Sequence, residues 1–359
     1  MRVHNFCAGP CTLPQHVLEE TRDELVDFRD SGMSVIEMSH RSTEYEEVHE
    51  EALDLFRSVF EIPEDRTVLF LQGGATLQFA VVPMNLLTAG ASAAYVRSGT
   101  WGKGALKDAA AVGEAYAAWD GEPLGFRRMP AEGELDVHPG TRYLHVTSNE
   151  TIEGIRLPAF PDIGVPLVAD MSSDYVSRPV PWERFDLVYG GAQKNLGPAG
   201  LAIVIVRNDV LERANPDLPS YLRLEAHASK NSLMNTPPMF SIYVMGKVLR
   251  WIRDEGGVRA MEERARRRSG SVYEAIERSD GFYRSPVEPD HRSHMNVVFR
   301  TPSDDLDAAF LKAAEQEGLV NLKGHRSVGG IRASIYNAMP DEGVDALVSY
   351  MAAFLDANA

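Results

Sequence analysis

Six short apolar runs constrain the fold of this chain of 359 residues more than any other feature. They are largely apolar without strict alternation, and helical or loop-like stretches separate most of them: residues 67–71, 94–97, 143–147, 165–169, 187–189 and 201–206. Runs of this kind indicate strands with both faces covered, as in a mostly parallel sheet flanked by helices. We therefore predict an α/β fold.

Apolar residues at helical spacing predict helices among and after these runs. Thr12 is the predicted N-cap of the first helix, which Gly32 ends, and Thr43 with Glu46 forms a capping-box pattern for the second. A helix opening at Asn235 is predicted ahead of two prolines. The other helices are predicted over residues 76–87 and 306–317.

Charge and composition narrow the classes of partner. The chain carries 36 Lys and Arg against 52 Asp and Glu, a net charge of −16, which opposes non-specific binding to nucleic acid or to an anionic membrane. Cys7 and Cys11 are too few for a disulfide framework or a zinc cluster, so no metal site is predicted. The N-terminus lacks a signal-peptide pattern, and polar residues and Pro83 interrupt the uncharged stretch 77–96. We predict a soluble, cytoplasmic protein.

A lysine and an aspartate are the main catalytic candidates. Lys194 lies in a glycine-rich loop between two predicted strands, where desolvation would lower its pKa and let the neutral amine attack a carbonyl. Asp170 ends an apolar run, at the edge where parallel sheets bind ligands. Lys194 could instead reach solvent, and Asp170 could cap a helix or a turn. Together they fit pyridoxal phosphate, which requires a Schiff-base lysine and an acid at its pyridine nitrogen.

Two predicted helix N-termini could hold a phosphate group. Gly73-Gly74-Ala75-Thr76 lies between a strand and a helix, where backbone N–H groups and the helix dipole attract anions. The segment lacks the full patterns of a P-loop and of a dinucleotide fold. Asn235-Thr236 is a second candidate, with simple helix capping as its alternative.

A cationic cluster near the C-terminus suits an anionic substrate. No acid occurs between Glu317 and Asp341, and this stretch contains His325, Arg326 and Arg332. Arginine binds carboxylate or phosphate through two parallel hydrogen bonds. His40 and Arg41 could add to the cluster, whereas each arginine taken alone could equally form a surface ion pair.

Nine motifs follow one another along nearly the whole chain, at residues 5–10, 38–41, 73–74, 83–86, 149–154, 169–173, 191–200, 235–238 and 323–340. In this order they resemble the phosphoserine aminotransferases, pyridoxal-phosphate enzymes of the aspartate-aminotransferase-like fold, fold type I. The resemblance implies a homodimer with a large domain, residues 13–255, around a mostly parallel seven-stranded sheet. A small α+β domain would cover residues 256–359, with shorter elements from about Asp280 and the segment 1–12 packed near it.

The resemblance implies a cofactor role for several candidates. Lys194 would form the Schiff base with pyridoxal phosphate and carry the substrate proton, and Asp170 would pair with the pyridine nitrogen. Trp101 would stack on the ring, and Thr151 would hydrogen-bond to the cofactor. The residues lining the cofactor phosphate would be Ala75, Thr76 and Gln193, with Asn235 and Thr236 donated by the neighbouring subunit.

The resemblance also implies the substrates and their ligands. Glutamate would give its amine and leave as 2-oxoglutarate, and 3-phosphohydroxypyruvate would accept the amine to become phosphoserine, in serine biosynthesis. Activity in pyridoxine biosynthesis, on a phosphorylated hydroxythreonine, is a further possibility. Arg332 would bind the α-carboxylate. The distal carboxylate or phosphate would be held by His40 and Arg41 of the partner chain together with His325 and Arg326.

Two other functions stay open at the level of the sequence. A desulfurase or lyase of the same fold would use the same cofactor, but a desulfurase needs a mobile nucleophilic cysteine, and Cys7 and Cys11 lie in the N-terminal segment. A non-catalytic anion-binding protein would use the glycines and arginines, with Lys194 in a structural role. A visible absorbance band that shifts when glutamate is added would exclude the non-catalytic alternative.

Overall fold

The computed structural model describes residues 2–88 and 90–359, and a seven-stranded sheet forms its largest layer. The described strands are β1 His4–Asn5, β2 Arg66–Gln72, β3 Ser92–Arg97, β4 Glu114–Asp120, β5 Thr141–Thr147, β6 Asn149–Glu150, β7 Ile155–Arg156, β8 Leu167–Asp170, β9 Phe185–Gly191, β10 Leu201–Arg207, β11 Asn296–Phe299, β12 Leu319–Val320 and β13 Ile331–Ser334. All six predicted runs overlap strands of the large sheet.

The described α-helices are α1 Gln15–Asp23, α2 Thr43–Val59, α3 Gly74–Leu86, α4 Thr100–Val112, α5 Asn208–Glu212, α6 Leu224–Ala228, α7 Met239–Asp254, α8 Gly257–Glu277, α9 Asp304–Gln316 and α10 Asp341–Asn358. Among the described residues, no helix combines the length and the apolar character that crossing a bilayer requires. Within the uncharged stretch 77–96, residues 77–86 instead belong to α3 and residues 92–96 to β3.

The order of the large sheet is β2-β10-β9-β8-β5-β3-β4. Only β10 runs antiparallel to its neighbours, so the other six strands share one direction. One core cluster packs α2 and α7 on one face, and another packs α3 and α4 on the opposite face. Burial on both faces explains the apolar runs, and the predicted mostly parallel sheet is confirmed.

The helices α3 and α9 begin two residues before their predicted starts, and three other starts differ in their cap or position. The predicted N-cap Thr12 is wrong, because its hydroxyl donates to the Asn5 carbonyl at 2.9 Å, and α1 begins after Pro14 and already ends at Asp23. Ser42, and not Thr43, caps α2 by accepting from the Tyr45 N–H. The helix expected from Asn235 begins at Met239, because a proline disfavours helical backbone in the residue before it.

A second, smaller core lies toward the C-terminus. It gathers apolar residues of α8, α9, α10 and β11 to β13 with Phe6 of the N-terminal segment. The N-terminal strand β1 pairs in parallel with β12, which brings the first residues of the chain onto this core. The domain boundaries at residues 13, 255 and 256 stay predictions, and Val258 and Met261 at the start of α8 still pack in the larger core.

Candidate active site

The candidate site is a cavity at the carboxyl edge of the large sheet. The connections that follow β2, β3, β5, β8 and β9 converge there, so residues far apart in sequence become neighbours. Seven predicted site residues line the cavity, namely Ala75, Thr76, Trp101, Thr151, Asp170, Gln193 and Lys194. The expected position at the carboxyl ends of parallel strands is the one observed.

Lys194 lies in the loop between β9 and β10, with a side chain that is buried. Its amine donates to the Thr151 hydroxyl at 3.4 Å, and its backbone carbonyl accepts from the Cys11 thiol. Gly9 lies against the lysine chain, since a Cβ there would be only 3.0 Å from Cε. The N-terminal segment therefore helps to hold the lysine in the cavity.

The environment of Lys194 favours its neutral form. Burial and, next, the charge of Arg332 lower the pKa of Lys194 from 10.5 to about 8, against the opposing negative charge of Asp170. A substantial fraction of the amine is therefore unprotonated near pH 8. Such an amine is a nucleophile for carbonyl carbon and also an acceptor for a proton.

Asp170 is the last residue of β8 and is buried at the cavity wall. Its Oδ1 accepts from the Ser172 backbone N–H at 2.8 Å and from the Ser172 hydroxyl at 2.6 Å, which fixes the plane of the carboxylate. Burial raises the pKa of Asp170, while the bonds from Ser172 and the charge of Lys194 lower it. The arrangement suits a carboxylate that pairs with a protonated nitrogen of a ligand.

The N-terminus of α3 provides an anion-binding end. Gly73 precedes the helix with a φ of 91°, and no side chain caps the first turn, which also contains no acid. The first N–H groups of a helix have no partner within it, and here Gly74, Ala75 and Thr76 line the cavity. These free N–H groups and the helix dipole favour a phosphate.

The described residues fit pyridoxal phosphate. One cavity combines a buried lysine for an aldehyde, a buried carboxylate for a ring nitrogen, an indole for a ring face and a helix N-terminus for a phosphate. The buried Thr147 Oγ1 also lines the cavity and has no hydrogen-bond partner among residues 2–88 and 90–359. An unpartnered buried hydroxyl at this position is accounted for by a polar ligand.

Sequence reasoning missed several residues of this site. Thr147, Ser172 and Ser173 line the cavity or orient Asp170, and Glu150 binds the backbone beside Trp101. Each follows or ends a strand at the carboxyl edge of the sheet. That position is the one signal that could have indicated them.

Arg332 reaches the rim of the site from β13. Its guanidinium donates to the Thr151 carbonyl at 3.4 Å, and its charge lowers the pKa of Lys194. A cation at this position can bind the carboxylate of a substrate that reacts at the lysine.

A second group of predicted residues lies outside this cavity. His40 Nδ1 is 3.2 Å from the Thr236 hydroxyl, and Arg41, Asn235 and Thr236 are exposed. The Thr236 carbonyl accepts from Gln72, which fixes the loop that carries the pair. Within one chain the structure therefore brings His40 and Thr236 together but does not bring them into the Lys194 cavity.

The third group, His325 and Arg326, lines an open cleft of about 820 Å³. The cleft is also lined by Arg300, Lys323 and Asp304, and His325 Nδ1 is 2.7 Å from the Ser327 hydroxyl. The loop that carries these two residues leads directly into β13, the strand of Arg332.

Comparison with known proteins gives one consistent result. Residues 3–347 match the class-V aminotransferase family. A phosphoserine aminotransferase of Laribacter hongkongensis is 51% identical over 99% of this chain and 99% of its own length. A solved phosphoserine aminotransferase of Bacillus circulans subsp. alkalophilus has a TM-score of 0.98 at 48% identity, covering 100% of this chain and 99% of that chain.

A pyridoxal-phosphate-bound phosphoserine aminotransferase of Trichomonas vaginalis has a TM-score of 0.94 at 38% identity, covering 98% of this chain and 100% of that chain. These similarities extend over the large sheet, the site and the C-terminal core together. The predicted fold and the predicted resemblance are confirmed. The chain belongs to the phosphoserine aminotransferases, within the class-V aminotransferase family.

Proposed function

We propose that this chain transfers an amino group from L-glutamate to 3-phosphohydroxypyruvate, giving 2-oxoglutarate and O-phospho-L-serine, with pyridoxal phosphate as cofactor. The reaction is a step of serine biosynthesis. The observation that carries the proposal is a buried Lys194 with a lowered pKa beside a buried Asp170, in a chain of this family.

Several residues of the cavity hold the cofactor in this proposal. When bound, pyridoxal phosphate supplies an aldehyde and an electron-withdrawing ring. Asp170 keeps a proton on the ring nitrogen, Trp101 covers one ring face, and Thr151 donates or accepts a hydrogen bond. The phosphate is bound by Ala75, Thr76 and Gln193, with Asn235 and Thr236 of the neighbouring subunit.

Lys194 also moves the proton that amino transfer requires. Its Nζ takes the proton that leaves the substrate α-carbon, which a neutral buried amine can do, and would deliver it to the carbon that bore the aldehyde oxygen of the bound cofactor. Arg332 holds the substrate α-carboxylate at the rim, so the α-hydrogen lies near the lysine. Desulfurase chemistry finds less support, because burial raises the pKa of the Cys11 thiol to about 12 and its sulfur is committed to the Lys194 carbonyl.

A homodimer completes the site in this proposal. Large apolar side chains are exposed on the segment from residue 25 to 36, with Val26 81% and Ile36 57% exposed. The segment leads into His40 and Arg41, which lie beside Thr236 and outside the cavity of their own chain. An apolar surface of this kind marks a contact with another protein. If that protein is a second copy of this chain, His40 and Arg41 would enter the site of the second copy. We also propose a cytoplasmic location, in keeping with two free cysteines.

The function is tested with the purified holoenzyme and its two substrates. Glutamate alone is expected to shift the visible cofactor band and to release 2-oxoglutarate, and 3-phosphohydroxypyruvate is expected to reverse the shift with formation of phosphoserine. Alanine and pyruvate serve as the control pair, because they lack the distal anion. A band that does not respond to glutamate would contradict the proposal.

Mixing two variants tests the shared site. Arg41→Ala is expected to raise KM for both substrates by about 10- to 100-fold, because a charge-assisted hydrogen bond to the distal anion is lost. Lys194→Ala removes the reacting amine. Unfolding and refolding the two variants together is expected to restore about a quarter of the native sites, since half of the dimers are mixed and each has one intact site. If the refolded mixture has no more activity than the two variants refolded separately, Arg41 acts in the site of its own chain.

The lowered pKa of Lys194 predicts how the apoenzyme takes up its cofactor. Only the neutral amine attacks the aldehyde, so the rate of attachment is expected to rise about tenfold per pH unit below pH 8 and to level off above it. Stopped-flow absorbance between pH 6 and 10 measures this rate. Nα-acetyl-lysine in solution controls for titration of the cofactor itself. If the attachment rate keeps rising toward pH 10.5, Lys194 has the pKa of an ordinary lysine and the prediction is wrong.

A further inference from the structure

The N-terminus of α4 is held by two glutamate side chains from a different part of the chain. Glu150 Oε2 accepts from the Trp101 N–H at 3.0 Å, and Glu150 Oε1 accepts from the Gly102 N–H at 2.8 Å. Glu153 Oε1 accepts from the Thr100 N–H at 2.9 Å. The first three N–H groups of the helix are thus all satisfied by carboxylates, although its N-cap residue, Gly99, has no side chain.

The position before the helix leaves no room for a side chain. A Cβ on Gly99 would lie 2.6 Å from Glu153 Oε2 and 2.7 Å from the Glu150 carboxyl carbon. The usual capping side chain is therefore replaced by carboxylates that approach from the loop after β5. Glycine is needed at position 99 because a side chain would not fit there. Its backbone conformation is not the reason, because the backbone is extended and any residue could adopt it.

This contact joins two cofactor-binding elements. Glu150 precedes Thr151, whose hydroxyl accepts from Lys194, and Trp101 lies in the first turn of α4. Glu150 is fully enclosed and also accepts from the Ser98 hydroxyl at 2.9 Å, so its carboxylate has little freedom to rotate. Burial raises the pKa of Glu150, and the neighbouring Glu153 raises it further. The backbone of Trp101 therefore has a fixed position relative to Glu150 and the adjacent Thr151.

We propose that Glu150 is a positioning residue that holds Trp101 over the cofactor ring by accepting the backbone N–H groups of Trp101 and Gly102. The inference rests on the proposed function, because the stacking of Trp101 is itself part of that proposal. Glu150 acts through the helix end and does not touch the reacting atoms. Loss of the Glu150 carboxylate is expected to weaken cofactor binding by no more than the contribution of Trp101 to that binding.

A double-mutant cycle on the apoenzyme tests this coupling. The overall Kd for pyridoxal phosphate is measured by equilibrium dialysis for the native chain, Glu150→Ala, Trp101→Ala and the double variant, with the thermal midpoint of each apo form. Each single variant is expected to raise Kd about tenfold, as the loss of one well-placed aromatic contact does. In the Trp101→Ala background, Glu150→Ala is expected to add less than about twofold.

Two further variants separate positioning from general stability. Glu150→Gln turns an amide N–H toward one of the two backbone donors, so a smaller rise in Kd than for Glu150→Ala is expected. In the Trp101→Ala background the rise is again expected to be less than about twofold. Asp307→Ala removes a buried carboxylate of α9 that accepts from the Thr301 N–H and hydroxyl and does not line the cavity. This control is expected to lower the thermal midpoint and to leave Kd unchanged.

The outcomes distinguish the two proposals. Equal rises in Kd with and without Trp101, or no rise for either Glu150 variant, would overturn the positioning role while leaving the transaminase function intact. An unchanged Kd in Trp101→Ala would instead refute the stacking of Trp101, and with it the basis of the inference. The proposal is supported if the Glu150 variants raise Kd only when Trp101 is present and Asp307→Ala keeps the native Kd.

Discussion

Lys194→Ala is expected to reduce amino transfer by at least about 10⁴-fold, because in the proposed function this one side chain supplies both the nucleophilic amine and the proton carrier. The protein is expected to keep its fold. The amine makes one described hydrogen bond, at 3.4 Å, and its removal relieves the cost of burying a charge. The measurements are the rate of phosphoserine formation and the far-ultraviolet circular dichroism of the apoenzyme.

A second buried lysine provides a matched control. The Lys247 amine lies 2.8 Å from a Glu20 carboxylate oxygen and 2.9 Å from one of Glu24, away from the cavity. Lys247→Met is expected to lower the thermal midpoint while keeping amino transfer within a few-fold of the native rate. Borohydride reduction of the native holoenzyme, followed by peptide mass analysis, identifies the lysine that carries the cofactor. A label on any peptide other than that of Lys194 would reject the assignment.

The sheet was predictable because its strands are buried on both faces. Residues 201–206 and 187–189 read as apolar runs since neither face of β10 or β9 meets solvent. The edge strand β4, Glu114–Asp120, was missed because it is partly exposed, rich in alanine and bounded by acids. Such a sequence carries neither the continuous apolar run of a central strand nor the β-branched residues of a typical strand.

Helix ends were less predictable than helices because several nearby residues can cap equally well. Ser42 and Thr43 are adjacent hydroxyl residues, and a shift of one position decides which of them satisfies the Tyr45 N–H. For α1, Pro14 sets the start, which leaves the Thr12 hydroxyl to bond elsewhere. The residue at which each helix begins depends on tertiary contacts, and the spacing of residues in the sequence does not show these contacts.

The site was partly predictable for a related reason. Asp170 ends one buried strand and Lys194 follows another, so the sheet topology alone brings them to one edge. The contacts of Gly9 and Cys11 with Lys194, and of Glu150 with Trp101, join segments that no local pattern connects. The group around His40 and Thr236 lies outside the cavity of its own chain, so its predicted role depends on the proposed dimer.

Asp170→Asn is expected to slow amino transfer by about 10³-fold, a loss typical of removing a key electrostatic partner from a preorganised site. The substitution changes charge and hardly changes shape. The asparagine oxygen can still accept from the Ser172 N–H and hydroxyl, which now hold Oδ1 at 2.8 and 2.6 Å. The amide, however, would present N–H donors toward the ring nitrogen of a bound cofactor, so it would no longer hold a proton there, and this proton is what makes the ring electron-withdrawing.

The effect is expected in kcat more than in KM, because the proposed role of Asp170 is on the cofactor, whereas Arg332 is the residue proposed to bind the substrate carboxylate. Asp186→Asn is the matched control, since Asp186 is also buried but lies at the opposite end of β9, paired with Arg207 at 2.9 Å. That variant is expected to lose stability and to keep the native kcat. Single-turnover rates with glutamate and the thermal midpoints of both variants make the comparison. If Asp170→Asn lost stability while its kcat stayed native, the pairing of Asp170 with the cofactor nitrogen would be wrong, and its burial at the cavity wall would have a structural purpose only.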